Sequence, residues 1–201
     1  MALLFAKNNS LSAVTALPAS ISGGGLNLIS TQTASSSATI DFTSGIDSTY
    51  KEYIFKFYNI HPATDSTHFT FQGSTNGGSS YGLTMTTTSF QTNHQENGSG
   101  ADLYYYAGGD LAQSTNFKRI SVFVDNDADS NSSGTLHLFN PSDSTFVKHF
   151  IARISLNQSA SLMVDNYSAG YFNTTSAIDA IQFKMASGNI DAGTIKLYGV
   201  T

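Results

Sequence analysis

Tyr50-Lys-Glu-Tyr-Ile-Phe-Lys-Phe-Tyr-Asn-Ile60 is the stretch on which the fold turns. Its period is two: Tyr53, Phe55 and Phe57 fall on one side, and Ile54, Tyr58 and Ile60 on the other. Only Lys56 interrupts the apolar pattern, as expected of a central strand covered on both faces. The same period continues on either side. Residues 68–72 and 81–88 flank the glycine-rich run 73–80 and predict a hairpin. Ile120, Val122 and Val124 alternate before an acidic turn, and residues 135–139 follow it. Residues 146–156 place Phe146, Lys148, Phe150, Ala152, Ile154 and Leu156 on one face. Near the end, Ile181, Phe183 and Met185 alternate, as do Ile195 and Leu197 across the turn 187–193, which predicts a C-terminal hairpin. No stretch carries a helical stripe. Eight to eleven short strands point to an all-β chain, an antiparallel β-sandwich of jelly-roll or related topology.

Composition agrees. Ser, Thr and Asn make 66 of 201 residues, and charged residues only 11%. Two Glu in the whole chain leave too little for a helical bundle, while 40% hydrophobic residues argue against disorder. Nine Lys and Arg against fourteen acids give a net charge of −5, which excludes a nucleic-acid binder with a basic surface. With no Cys there is neither a zinc-thiolate site nor a disulfide scaffold. Asp-Ser-Thr recurs at 47–49, 65–67 and 143–145, each time before an aromatic residue or His. An Asp there closes a turn by accepting from the amide two residues on.

The first 25 residues differ from the rest. Leu3, Leu4, Phe5, Leu11, Val14 and Leu17 are too apolar for a solvated tail, and Gly23-Gly-Gly25 supplies a hinge. The expected organisation is an anchoring arm at 1–25, buried against a neighbouring subunit or the body it docks on, and a β-sandwich domain at 26–201. A first strand packed on its own domain is the alternative. The start lacks the charge-then-apolar order of a signal peptide, and no run approaches the ~20 apolar residues of a membrane span.

Two constellations could carry chemistry. Asp125, Asp127 and Asp129 stand at the i, i+2, i+4 spacing that opens a Ca²⁺ loop. Ser130 and Leu136, however, occupy the positions where that loop needs Gly and a bidentate Glu, and a solvated acidic turn reads equally well. Tyr104 and Tyr106 would share one face of a strand and could stack on the rings of a glycan, or simply pack. Neither the five His nor the Gly runs match a metal, nucleophile-elbow or phosphate-loop pattern, so no cofactor and no catalysis are expected.

Five phrases bear a resemblance to known proteins. They are Leu28-Ile-Ser-Thr-Gln-Thr-Ala-Ser-Ser-Ser, Tyr53-Ile-Phe-Lys-Phe-Tyr-Asn-Ile-His-Pro-Ala-Thr-Asp65, Gly73-Ser-Thr-Asn-Gly-Gly-Ser-Ser-Tyr81, Gly134-Thr-Leu-His-Leu-Phe-Asn-Pro141 and Gly193-Thr-Ile-Lys-Leu-Tyr-Gly-Val200. In this order they resemble β-sandwich virion proteins of tailed bacteriophages, especially of marine and cyanobacterial hosts. The last phrase is the most distinctive. The resemblance implies a structural protein on the virion surface, in a tail fibre, an appendage or a capsid decoration. Such a subunit would be made in the host cytoplasm and would contact other virion proteins. By analogy with fibres and decorations it would form a homo-oligomer, with a trimer expected. The competing expectation is an adhesin module that holds host surface glycan.

Overall fold

The computed structural model describes residues 25–158 and 161–201. The expected arm lies, apart from Gly25, outside the described residues. Twelve strands follow: β1 (Leu26–Ser37), β2 (Ile40–Phe42), β3 (Glu52–Pro62), β4 (Phe69–Ser74), β5 (Met85–Gln95), β6 (Ala101–Tyr105), β7 (Lys118–Arg119), β8 (Ser132–Phe139), β9 (Lys148–Gln158), β10 (Leu162–Phe172), β11 (Ala180–Met185) and β12 (Ile190–Val200). A single 3-10 turn, Ala107–Gly109, is the only helical element among the described residues.

Every pairing is antiparallel, and two sheets result, ordered β1-β12-β3-β8-β9-β10-β5-β6 and β2-β11-β4-β7. Four of the pairings are nested: β1 with β12, β2 with β11, β3 with β8 and β4 with β7. That is one long hairpin rolled across two sheets, the jelly roll anticipated above. The other four strands arise as β5–β6 and β9–β10 and extend the larger sheet beyond β8.

Alternation located β3, β4, β5, β8, β9, β11 and β12 but not β1, β2, β7 or β10, and two expected pairings are not formed. The run 73–80 does not turn a hairpin: β4 joins the small sheet and β5 the large one. Likewise β11 and β12 lie in opposite sheets, so the C-terminal pair is a crossover. Residues 120–124 form one isolated bridge, Thr67 to Val124, although Ile120, Val122 and Val124 are buried as their alternation requires. Phe146, expected on the inner face of β9, precedes that strand and is exposed.

The two inner faces meet in an aromatic cluster. Phe183 on β11 lies within 5.1–6.3 Å, centroid to centroid, of Phe42, Phe55, Phe57, Phe69 and Phe71. Phe71, Phe150 and Phe172 continue it beneath β9 and β10. Most of these contacts are edge-to-face, the arrangement that ring quadrupoles favour. Under the extension the inner face turns polar. Lys118 Nζ, wholly buried, donates to Ser89 Oγ and, at 2.7 Å, to the Gly109 carbonyl, while burial pushes its amine down to about 8. The Asp-Ser-Thr turns behave as expected at two sites: Thr49 N donates to Asp47 Oδ1 at 2.8 Å, and Thr145 N and Phe146 N donate to Asp143 Oδ1 at 2.7 Å. The Thr49 hydroxyl and then its amide at Asp47, and the Phe146 and Thr145 amides at Asp143, stabilise the ionised form and hold both carboxyls below the usual range.

Gly134 lets β8 and β9 approach. A Cβ there would sit 2.1 Å from the Arg153 carbonyl oxygen and 2.9 Å from the Ile154 Cα. Gly134→Ala is expected to cost about 1–3 kcal/mol in urea unfolding. Gly82→Ala, where a Cβ meets nothing within 4 Å, serves as the neutral control. Equal midpoints for the two variants would refute the close approach.

Candidate functional site

Alternation along five strands sends a second set of side chains to the outer face of the large sheet. One cross-strand row is Tyr105, Phe90, Tyr167 and Arg153, on β6, β5, β10 and β9. The Phe90 and Tyr167 rings stack 4.7 Å apart and 4° from parallel, and the Arg153 guanidinium lies 5.0 Å from the Tyr167 centroid. Arg153 is held by Asp165, with Nε 3.1 Å from Oδ1 and Nη2 2.6 Å from Oδ2. That bidentate pair raises the guanidinium pKa still further. Two residues along the strands, the next row is Thr88, Ala169, Ile151 and His137. A third row, Thr86, Tyr171 and His149, completes the relief.

Tall rows on both sides of a low one make a trench. Its walls stand roughly 13 Å apart, four residues of extended strand. Two hollows of about 400 and 360 Å³ share the floor of Thr88, Ile151 and Ala169. At the far end, His137 Nδ1 and Glu52 Oε1 are 2.6 Å apart.

Large apolar side chains recur across the face, interspersed with Lys56, Lys196, Arg153 and Asp165. Eleven large apolar side chains are exposed among the described residues, and eight of them lie here. Leu103, Tyr105, Phe90, Ile151 and Met163 surround the trench, and Leu26, Leu28 and Tyr58 stand toward the β1 edge. Leu103, at 70% exposed, and Tyr105, at 61%, belong to β6, an edge strand with every residue exposed. Tyr104, Phe123 and Phe146 are the three elsewhere.

Tyr104 and Tyr106 point to the inner side. The Tyr104 hydroxyl meets the Gln91 amide. Tyr106 has left the strand, and its half-buried ring packs on the core and over Gly109. The segment's outward ring is Tyr105, whose hydroxyl donates to Asp110 Oδ2. Strand alternation could have singled it out, but the partners that make its face apolar come from strands distant in sequence. The acidic turn is divided: Asp125 is buried, and Asp127 and Asp129 are exposed. Among the described residues no three metal-ligating side chains gather.

The arrangement offers apolar area, stacked rings and a paired Arg, a surface suited to binding and packing. Compared with known proteins, the chain matches no family model, no curated protein and no solved structure.

Proposed function

We propose that this chain is a self-assembling structural subunit of a phage particle, displayed on its surface in a fibre, appendage or capsid decoration and anchored by its N-terminal arm. The observation that carries the assembly reading is the apolar outer face of the eight-stranded sheet. Exposed apolar patches mark interaction surfaces, and Leu103, Tyr105, Phe90, Ile151 and Met163 gather around one trench here. Two edge strands, β1 and β6, border it and add unpaired backbone groups for strand-to-strand contact. The virion assignment draws support from the ordered phrases quoted above and, by fold-level analogy, from the jelly roll, an architecture that viral capsid domains share with lectins.

Sedimentation of the purified chain tests assembly, and immunogold labelling of particles tests location. Wild-type protein is expected to sediment as a closed homo-oligomer. Leu103→Asp and Ile151→Asp, both on exposed positions, are expected to weaken association by tenfold or more while leaving the circular dichroism unchanged. A wild-type chain that stays monomeric at high micromolar concentration, or particles that bind no antibody, would sink the corresponding half of the reading.

A further inference from the structure

The opposite face of the molecule carries a different surface. On the four-stranded sheet Lys184 of β11, Thr70 of β4 and Arg119 of β7 are direct cross-strand neighbours, so both cations project to the outer side. Their backbones are roughly 10 Å apart, two strand spacings. They border a hollow of about 400 Å³, closed at the β7 edge by Gly108, Gly109, Asp110, Leu111, Asn116 and Phe117. Arg119 Nη1 donates to the Gly108 carbonyl at 3.1 Å, which fixes the guanidinium and leaves its other N–H groups available. Lys184 Nζ lies 4.0 Å from the Phe117 ring centroid. Neither cation makes an ion pair with a carboxylate among the described residues. In a chain with nine Lys and Arg and a net charge of −5, two cations without an ion pair in one hollow are a specific feature.

Asp110 adds the second kind of group. Its Oδ2 accepts from Tyr105, while its Oδ1 is buried without a hydrogen-bond partner. That Oδ1 is out of a ligand's reach, but Oδ2 borders the hollow and, as a carboxylate oxygen, can accept a second hydrogen bond beside that from Tyr105. The hollow therefore combines cations for an anionic group, an acceptor for a hydroxyl, and the Phe117 and Leu111 side chains for a C–H surface. A polyphosphate would meet repulsion from Asp110, and a neutral ligand would leave the cations unused.

We propose that this hollow binds an acidic saccharide, whose carboxylate or sulfate lies between Arg119 and Lys184 and whose ring hydroxyl donates to Asp110. Its volume falls within the roughly 300–1,000 Å³ of small-molecule sites. The hollow and the apolar face meet only at the Tyr105–Asp110 hydrogen bond, and Arg119 and Lys184 lie on the other sheet, so loss of saccharide binding in their variants leaves the assembly reading untouched.

The test uses the full chain and calorimetry with three probes: a galacturonate trisaccharide, a sulfated carrageenan oligosaccharide and a neutral agarose oligosaccharide. One acidic probe is expected to bind at low ionic strength and the neutral one not, and which of the two binds identifies the anionic group. Arg119→Gln and Lys184→Gln should each weaken binding about tenfold, the loss of one charge-assisted contact. Lys196→Gln, on the other sheet's outer face, should leave it unchanged. Thermal melting confirms that each variant is folded. No binding of either acidic probe, equal binding of the neutral one, or equal weakening by Lys196→Gln would overturn the proposal.

Discussion

Phe183→Ala is expected to lower the unfolding free energy by about 3–5 kcal/mol, the largest single loss in this molecule. Its ring touches five other phenylalanine rings drawn from β2, β3 and β4, so the deletion opens a cavity where both sheets meet. For a chain of this size the melting temperature should fall by roughly 6–20 °C. Phe183→Leu keeps most of the volume and should cost clearly less. The β11 strand remains hydrogen-bonded to β2 and β4 in both variants, which separates packing from pairing. A shift under 2 °C for the alanine variant would show that the rings around Phe183 do not form the centre of the core.

A second large effect is expected from His68. The side chain is 7% exposed, its Nδ1 lies 3.3 Å from the Ser121 carbonyl, and the Phe123 ring covers it at 4.5 Å. Burial, aided by the nearby Arg119 charge, lowers its pKa from 6.5 to about 4. The folded state thus binds fewer protons than the unfolded state between those values, and stability rises with pH there. The contribution is complete above pH 6.5 and is lost as pH falls toward 4, amounting to about 2 kcal/mol at pH 5. Unfolding free energies from urea titrations at pH 7 and pH 5 should therefore differ more for the wild type than for His68→Gln, by about that amount. Equal differences in the two proteins would mean that the imidazole titrates as it does in water.

How far could these features be read in the sequence? The aromatic core could be, because alternation alone places Tyr53, Phe55 and Phe57 on one side of β3 and Phe183 between Ile181 and Met185. The turn chemistry at Asp47 and Asp143 was equally legible, since an Asx turn needs only residues two or three apart. The surfaces were not. Tyr105, Phe90, Tyr167 and Arg153 become a row only when β6, β5, β10 and β9 lie side by side. Arg119 and Lys184 share a hollow only because β4 separates their strands by one position.

The amino-acid sequence by itself determined that this chain is all β, where most of its strands lie and which side chains turn inward where a strand runs without a bulge, as Tyr53, Phe55 and Phe57 do; Ile60, beyond a register shift, and Phe146, before β9, depart from it. Those properties follow from backbone geometry and the alternation of apolar residues, both local. Only the tertiary structure decided which strands are neighbours. Four residues join β11 to β12, enough either to turn a hairpin or to cross the ~10 Å between sheets. Loop length therefore does not distinguish the two, and the predicted hairpins proved to be crossovers. What selects the crossover is the burial of both inner faces against each other, a property of the whole molecule. The same selection leaves the apolar trench on one outer face and the Arg119–Lys184 hollow on the other.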